Sequence, residues 1–248
     1  MFDWFVKWFH RTGSPPHFYR MAGRWIPWLT VLFFLLLIPG LIGGLILAPP
    51  DYQQGESYRI IFVHVPAAWM SLFVYMVMAT CGIIVLVWRM KLAEVVLNCA
   101  APIGASFTFL ALVTGSLWGK PMWGTYWAWD ARLTSELILL FLYLGVIGLY
   151  GAIDDKRVAS RAVAILAIVG MVNIPIIHYS VDWWNSLHQT ASLTKFEKPS
   201  MPPSMYVPIL IMALSFKVYF ILSLFQRARA ELLHRERNSR WVEELFQS

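Results

Sequence analysis

Long apolar runs separated by short polar breaks dominate the chain. A membrane-crossing helix needs about 20 consecutive, mostly apolar residues. Six stretches qualify: Trp25 to Leu47, Val65 to Trp88, Val95 to Trp118, Leu133 to Ile153, Ala159 to Tyr179 and Met205 to Phe225. The hydrocarbon core has no water to satisfy backbone N–H and C=O groups, so each run is expected to be helical. The pattern predicts an all-α, polytopic integral membrane protein with six transmembrane helices. No Gly/Ser linker divides it, so residues 1–248 read as one membrane domain: an interfacial segment over 1–24, the bundle over 25–226 and a tail over 227–248. Asn173 and Pro175 interrupt the fifth run, which predicts a kink there.

Composition agrees with bilayer as solvent. Hydrophobic residues make up 58% and charged residues 14%, against roughly 25% charged in a soluble domain. The net charge is +6. Spread over a soluble domain it would suggest nucleic acid; here it follows the breaks between spans, so it reads as topology and no nucleic-acid partner is expected. Lys7, Arg11, Arg20 and Arg24, then Arg89 and Lys91, then Lys156, Arg157 and Arg161, then Arg227, Arg229, Arg235, Arg237 and Arg240 lie in alternate segments. The other segments hold only Arg59, Lys120, Arg132, Lys195 and Lys198. The positive-inside rule therefore places both termini in the cytoplasm and the loops at 48–64, 118–132 and 180–204 on the outer side, the periplasm of a Gram-negative cell. A bacterial inner-membrane, multi-pass location is expected.

The termini carry further signals. The first 25 residues lack the short apolar core of a cleavable signal peptide. Phe2, Phe5, Trp8 and Phe9 share a helical face, suggesting a segment lying along the inner membrane surface. The tail from Gln226 is basic and helix-prone, a pattern suited to anionic lipid or a partner subunit. Cys81 and Cys99 both fall in apolar runs and start no Cys-x-x-Cys-His motif, so they read as small buried hydrophobes.

The second outer loop concentrates the chemistry. Trp118, Trp123, Tyr126, Trp127 and Trp129 fall within twelve residues and end on Asp130. Interface anchoring accounts for one or two Trp at a span end, not for this density. Flat aromatic surfaces suit a flat, apolar macrocycle with a polar rim. Asp130 reads equally as the N-cap of the fourth span or as a ligand contact. Three histidines, His64, His178 and His188, fall on the same outer side. His64 precedes Pro66 at the mouth of the second span, and His188 follows Trp183 and Trp184 in the third outer loop. Either could be an ordinary hydrogen-bonded interface residue. Two of them bracketing an aromatic platform make axial haem ligation an equal alternative. His178, at the end of the fifth span, is the weaker third candidate.

The segment W-G-T-Y-W-A-W-D (Trp123 to Asp130) resembles the WWD signature of the haem-handling protein superfamily. Its continuation A-R-L-T-S-E (Ala131 to Glu136), with H-V-P (His64 to Pro66) and W-W-N-S-L-H-Q (Trp183 to Gln189), resembles one branch, the haem exporter protein C family of cytochrome c maturation system I. Tyr126 stands where this branch often has Trp; related branches accept Tyr. The larger haem lyases of the superfamily have many more spans than this chain. The resemblance implies axial ligation of haem iron by His64 and His188, with Trp118, Trp123, Tyr126, Trp127, Trp129 and Asp130 as the platform. The cargo would be haem b, held non-covalently and transiently, then presented to a periplasmic haem chaperone. Implied partners are an ATP-binding cassette subunit with its membrane partner, a small single-span subunit, and membrane lipids. The chain has no G-x-x-x-x-G-K-[ST] sequence, so ATP hydrolysis would belong to a partner and no enzymatic activity is expected of this subunit.

Several charges keep two readings. Lys217 lies within the sixth span, where a buried charge should face a partner, with Glu136 or a haem propionate as candidates, or should snorkel from a shifted span. Arg59, Lys120 and Arg132 could pair with propionates or be solvated loop charges. Two other classes compete. A transporter for another substrate predicts polar residues lining several spans. A b-type membrane cytochrome predicts both ligands inside helices of the bundle.

Overall fold

A computed structural model describes residues 13–188 and 201–247. The expectations for Phe2, Phe5, Trp8, Phe9, Lys195 and Lys198 lie outside the described residues. Six helical segments are long and apolar enough to cross a membrane, so the chain is a multi-pass membrane protein. The first begins as α1 (Pro15–Leu41) and continues as a wider π-helical stretch over Ile42–Leu47. A 3-10 turn over Glu56–Ile60 leads into α2 (Ile61–Trp88). Next come α3 (Lys91–Trp123) and α4 (Ala131–Ala152). The fifth span divides into α5 (Lys156–Gly170) and α6 (Asn173–Trp183). The sixth is α7 (Pro203–Arg235), followed by the short α8 (Arg240–Gln247). No strand occurs among the described residues; one isolated bridge joins Asp51 and Gly55.

Several helices outrun the apolar stretches that reveal them. Hydropathy measures the part that meets hydrocarbon, while a helix ends where its backbone does. Helix α1 starts at Pro15, ten residues before the first apolar run, because Pro is pre-set for a first turn. Helix α7 continues through the basic tail to Arg235. Helix α3 runs on to Trp123, so Trp118 and Trp123 stand on its last turns and the loop after it is only 124–130. Gly124, at φ 76°, stops it in the left-handed conformation that glycine tolerates, and its N–H donates to the Lys120 carbonyl at 3.1 Å. The fifth span breaks at Met171 and Val172, four and three residues before Pro175, where the proline ring excludes a continuous helix. Asn173 then donates from Nδ2 to the Ser135 carbonyl at 2.9 Å, tying the break to α4.

Helices α2 and α3 form the centre of the bundle. They pack on each other; α5 and α7 lie against α2, α4 and α7 against α3, and α1 lies mainly on α7. Only 11% of α1's most apolar window is buried, against 67% for α3, so α1 is the outermost span. Small residues allow the close approaches. A Cβ on Gly104 of α3 would stand 2.2 Å from the Tyr143 ring of α4, and Tyr143 donates its hydroxyl to the Ser71 carbonyl of α2 at 2.7 Å. One contact thus joins three spans.

With six crossings, the loops at 48–55 and 124–130, and residues 184–188 and 201–202, lie at one end of the bundle. The opposite end is closed by a polar network. Arg235 bonds Glu231 and the Tyr150 hydroxyl, each at 2.5 Å, and Glu94 accepts from Ser160 at 3.2 Å. Asp155 caps α5, and the N–H groups of Arg157 and Val158 hold its carboxyl below the usual carboxylate range. Both cysteines are buried free thiols.

Candidate functional site

At the end carrying the Trp-rich segment, α2, α3, α4 and α6 part around a pocket enclosing about 970 Å³, its open mouth included. His64 is the fourth residue of α2, a full turn inside the helix rather than at its mouth. The 3-10 turn before it is pinned on both sides. Tyr58 donates to the Pro49 carbonyl at 2.6 Å, and Arg59 donates to the Gly44 carbonyl at 2.9 Å while pairing with Glu56.

The His64 ring is fixed by α3. Its Nδ1 lies 3.0 Å from the Ala111 carbonyl oxygen and 3.1 Å from Thr114 Oγ1. A carbonyl can only accept, so Nδ1 carries the proton and Nε2 keeps its lone pair for a ligand. Metal-binding histidines are oriented in this way, with the far ring nitrogen donating to a carbonyl. Gly115 makes the approach possible, since a Cβ there would stand 2.9 Å from His64 Cε1.

His188 faces His64 across the pocket. Their ring centres are 6.4 Å apart with planes inclined by 33°. A metal–imidazole bond is about 2 Å long, and each ring centre stands about 1 Å behind its nitrogen. Two imidazoles sharing one metal ion therefore sit roughly 6 Å apart, centre to centre. The observed spacing fits one iron between the two rings. Among the described residues no group of three or more His, Cys, Asp or Glu side chains could hold a metal ion.

Of the aromatic residues singled out from the sequence, Trp118 and Trp123 line the pocket with the two histidines. Trp118 meets His64 edge-on at 5.7 Å and donates from Nε1 to Gln54 Oε1 at 2.9 Å. Trp123 lies 6.3 Å from the His188 ring. Tyr126, Trp127, Trp129 and Asp130 do not line it. Tyr126 lies under the Lys120 ammonium, 5.3 Å from its ring centre. Trp127 packs edge-on against Trp129 at 5.4 Å, with its Nε1 buried and without an acceptor among the described residues. Trp129 is 78% exposed.

Asp130 has two roles. Oδ1 accepts from the Leu133 N–H at 2.8 Å and caps α4. Oδ2 accepts from the Ser186 hydroxyl at 2.6 Å, and Ser186 Oγ in turn accepts the His188 backbone N–H at 3.1 Å. Asp130 thus ties the segment carrying His188 to the start of α4. His178 does not line the pocket; its ring is exposed and meets Tyr179 edge-on at 4.7 Å.

The three cations near this end, Arg59, Lys120 and Arg132, separate. Arg59 is taken up by Gly44 and Glu56, and Lys120 donates to the Gly124 carbonyl at 3.0 Å, while Arg132 lines the pocket. Trp69, Leu72, Met122 and Glu136 also line it, and none was assigned to the site from sequence. Glu136 is buried and accepts from the Ser71 hydroxyl at 2.7 Å. One signal was available: Arg132 and Glu136 are four apart, on one face of a helix that starts at the Trp-rich segment.

Fold and site define a class: a six-span membrane protein with an aromatic-walled pocket at one end of the bundle, lined by two histidines whose ring centres lie 6.4 Å apart. The sequence model of one family, heme exporter protein C, matches residues 8–243. Heme exporter protein C of Haemophilus influenzae is 49% identical over 242 residues, covering 98% of each chain. That of Escherichia coli K12 is 51% identical over 240 residues, covering 97% of each. A putative cytochrome c biosynthesis ccmC-like mitochondrial protein of Marchantia polymorpha is 49% identical over 178 residues, 72% of this chain and 74% of the relative. The chain belongs to the heme exporter protein C family.

Proposed function

We propose that this chain binds haem b non-covalently between His64 and His188 at the outer face of the bacterial inner membrane, and presents it to a periplasmic haem chaperone for c-type cytochrome biogenesis. The observation that carries the reading is the facing histidine pair, 6.4 Å between ring centres, with His64 Nδ1 committed to Ala111. Trp118 and Trp123 supply flat apolar surface beside the pair. Arg132 is the pocket's cation and suits a propionate. The Lys and Arg asymmetry supports an outer position for this end, with both termini cytoplasmic. The chain acts as a carrier; ATP hydrolysis belongs to an ATP-binding cassette partner with its membrane subunit and a small single-span subunit.

Transfer needs haem held without being trapped. His64 sits in a helix braced by a second helix, whereas His188 sits on a non-helical segment after α6. A b-type cytochrome would hold both ligands in helices; one helical and one loop ligand suit handover. His188 is then the ligand that opens and His64 the one that stays. Visible spectroscopy of the purified protein tests this. The wild type should show six-coordinate, low-spin haem. His64→Ala and His188→Ala should each lose that spectrum and regain it with added imidazole, while His178→Ala should behave as wild type. Wild-type spectra and cytochrome c assembly in both single variants would sink the assignment.

A further inference from the structure

Lys217 is the one cation within the apolar length of a span that neither the site nor the polar network at the opposite end accounts for. It lies 14 residues past the start of α7 at Pro203 and 10 before Arg227, separations of about 21 and 15 Å along a helix. Hydrocarbon is about 30 Å thick, so the residue stands near mid-bilayer. It is exposed, and therefore on the outside of the bundle. Its ammonium lies 5.1 Å from the ring centre of Phe73, near the middle of α2. Among the described residues no carboxylate, carbonyl or hydroxyl accepts a hydrogen bond from it.

Snorkelling does not relieve this charge. Helical Cβ atoms lean towards the N-terminus, which directs the side chain to the farther, site-bearing end. The nearer surface lies in the opposite direction and beyond the reach of a lysine. A ring face attracts an ammonium but leaves its three donors without acceptors. Among the described residues no carboxylate is placed to neutralise it: Glu136 is the acidic residue well inside a span, and it is buried against Ser71. A lipid phosphate stays at the surface. A second copy packed symmetrically on this face would set Lys217 against Lys217.

We infer that the seam between α2 and α7, centred on Lys217 and Phe73, receives a membrane-spanning helix of another subunit whose Asp or Glu, at mid-bilayer depth, pairs with Lys217. Leu210 and Leu214 continue the same exposed face of α7 towards the site end, and Met76 is exposed on α2, one turn from Phe73. The seam is thus apolar around one charge, as a helix carrying a single carboxylate requires. The inference rests on the reading that the chain works within a membrane complex, and supplies a contact for it.

The test uses the full chain in native membranes, with a photo-crosslinking residue at Leu214. The expected product joins it to a membrane-spanning segment that carries Asp or Glu within one helical turn of the linked position, identified by mass spectrometry. Lys217→Met should lower that product at least tenfold, and Lys217→Arg should keep it. Lys217→Glu should lose it and regain it when the partner's carboxylate is changed to Lys. Crosslinks only to lipid, to a second copy or to a segment without a carboxylate would overturn the inference, as would an undiminished yield in Lys217→Met. The haem spectrum separates this from the proposed function: Lys217→Met should keep the wild-type spectrum, and loss of that spectrum would show that the lysine supports the pocket instead.

Discussion

Gly115→Ala adds one methyl group at the point where α3 passes closest to His64. The new Cβ would stand 2.9 Å from His64 Cε1 and 3.4 Å from Nδ1. Carbon atoms settle at about 3.5–4.0 Å, so the ring must withdraw from α3 by about 0.6 Å or more. Ala111 and Thr114, which hold Nδ1 at 3.0 and 3.1 Å, lie on the same face of α3 as Gly115. Withdrawal stretches both contacts to about 3.6 Å, outside hydrogen-bonding range. One such bond contributes about 1 kcal/mol. Loss of an outer-shell partner typically costs a metal site about 10–100-fold in affinity. Haem titration of the purified apoprotein, followed by its visible spectrum, should show affinity down by about tenfold or more and weaker His64 ligation. Gly148→Ala in α4 is the control, because nothing lies within 4 Å of a Cβ there, and it should leave titration and spectrum unchanged. A Gly115→Ala protein with wild-type affinity and a wild-type six-coordinate spectrum would show that the Ala111–His64 contact does not set the ligand, and the argument from His64 geometry would fall.

Ser186→Ala should weaken haem ligation by loosening His188 while keeping the α4 cap; Asp130→Ala should weaken ligation as much and lower the thermal midpoint further, because it also loses the cap, which contributes about 1 kcal/mol. Gly104→Ala should destabilise the bundle by about 1–3 kcal/mol, because its Cβ would overlap the Tyr143 ring; a thermal midpoint equal to wild type would show that the three-span contact is dispensable. Cysteines placed at Arg157 and at Tyr52 should react with an impermeant maleimide from opposite sides of the membrane, Tyr52 from outside; the reverse pattern would put the histidine pocket in the cytoplasm.

The spans were legible because bilayer is a demanding solvent, and an apolar run of span length has few other uses. The break before Pro175 was legible for an equally local reason. Helix ends were not, because caps and turns fix them: Gly124 stops α3 only after Trp118 and Trp123 have joined it. The site was legible as residue types and partly as a group. Density on one side of the membrane marked Trp118, Trp123, His64 and His188, and these converge on the pocket. The same density drew in Tyr126, Trp127 and Trp129, which the turn after Gly124 places away from the pocket lining. Trp69, Met122 and Gly115 were silent because their part depends on α2 and α3 meeting, which no local pattern encodes.

The two histidines differ in what holds them, and the difference bears on how cargo could leave. His64 is held through Ala111 and Thr114, on the most buried pair of helices in the bundle. Moving it means parting α2 from α3. His188 is tied back through its backbone N–H to Ser186, and Ser186 to Asp130, the residue that also caps α4. Asp130 can lose the Ser186 hydroxyl from Oδ2 and keep the cap through Oδ1, because each oxygen serves one partner. On the proposed function, Asp130 would need no contact with haem to matter for its release. Its two oxygens divide two duties, starting α4 and holding the segment that brings His188 to the pocket. Opening that 2.6 Å contact would then loosen the segment that carries His188 while the Asp130 cap on α4 and the His64 contacts to α3 stay in place.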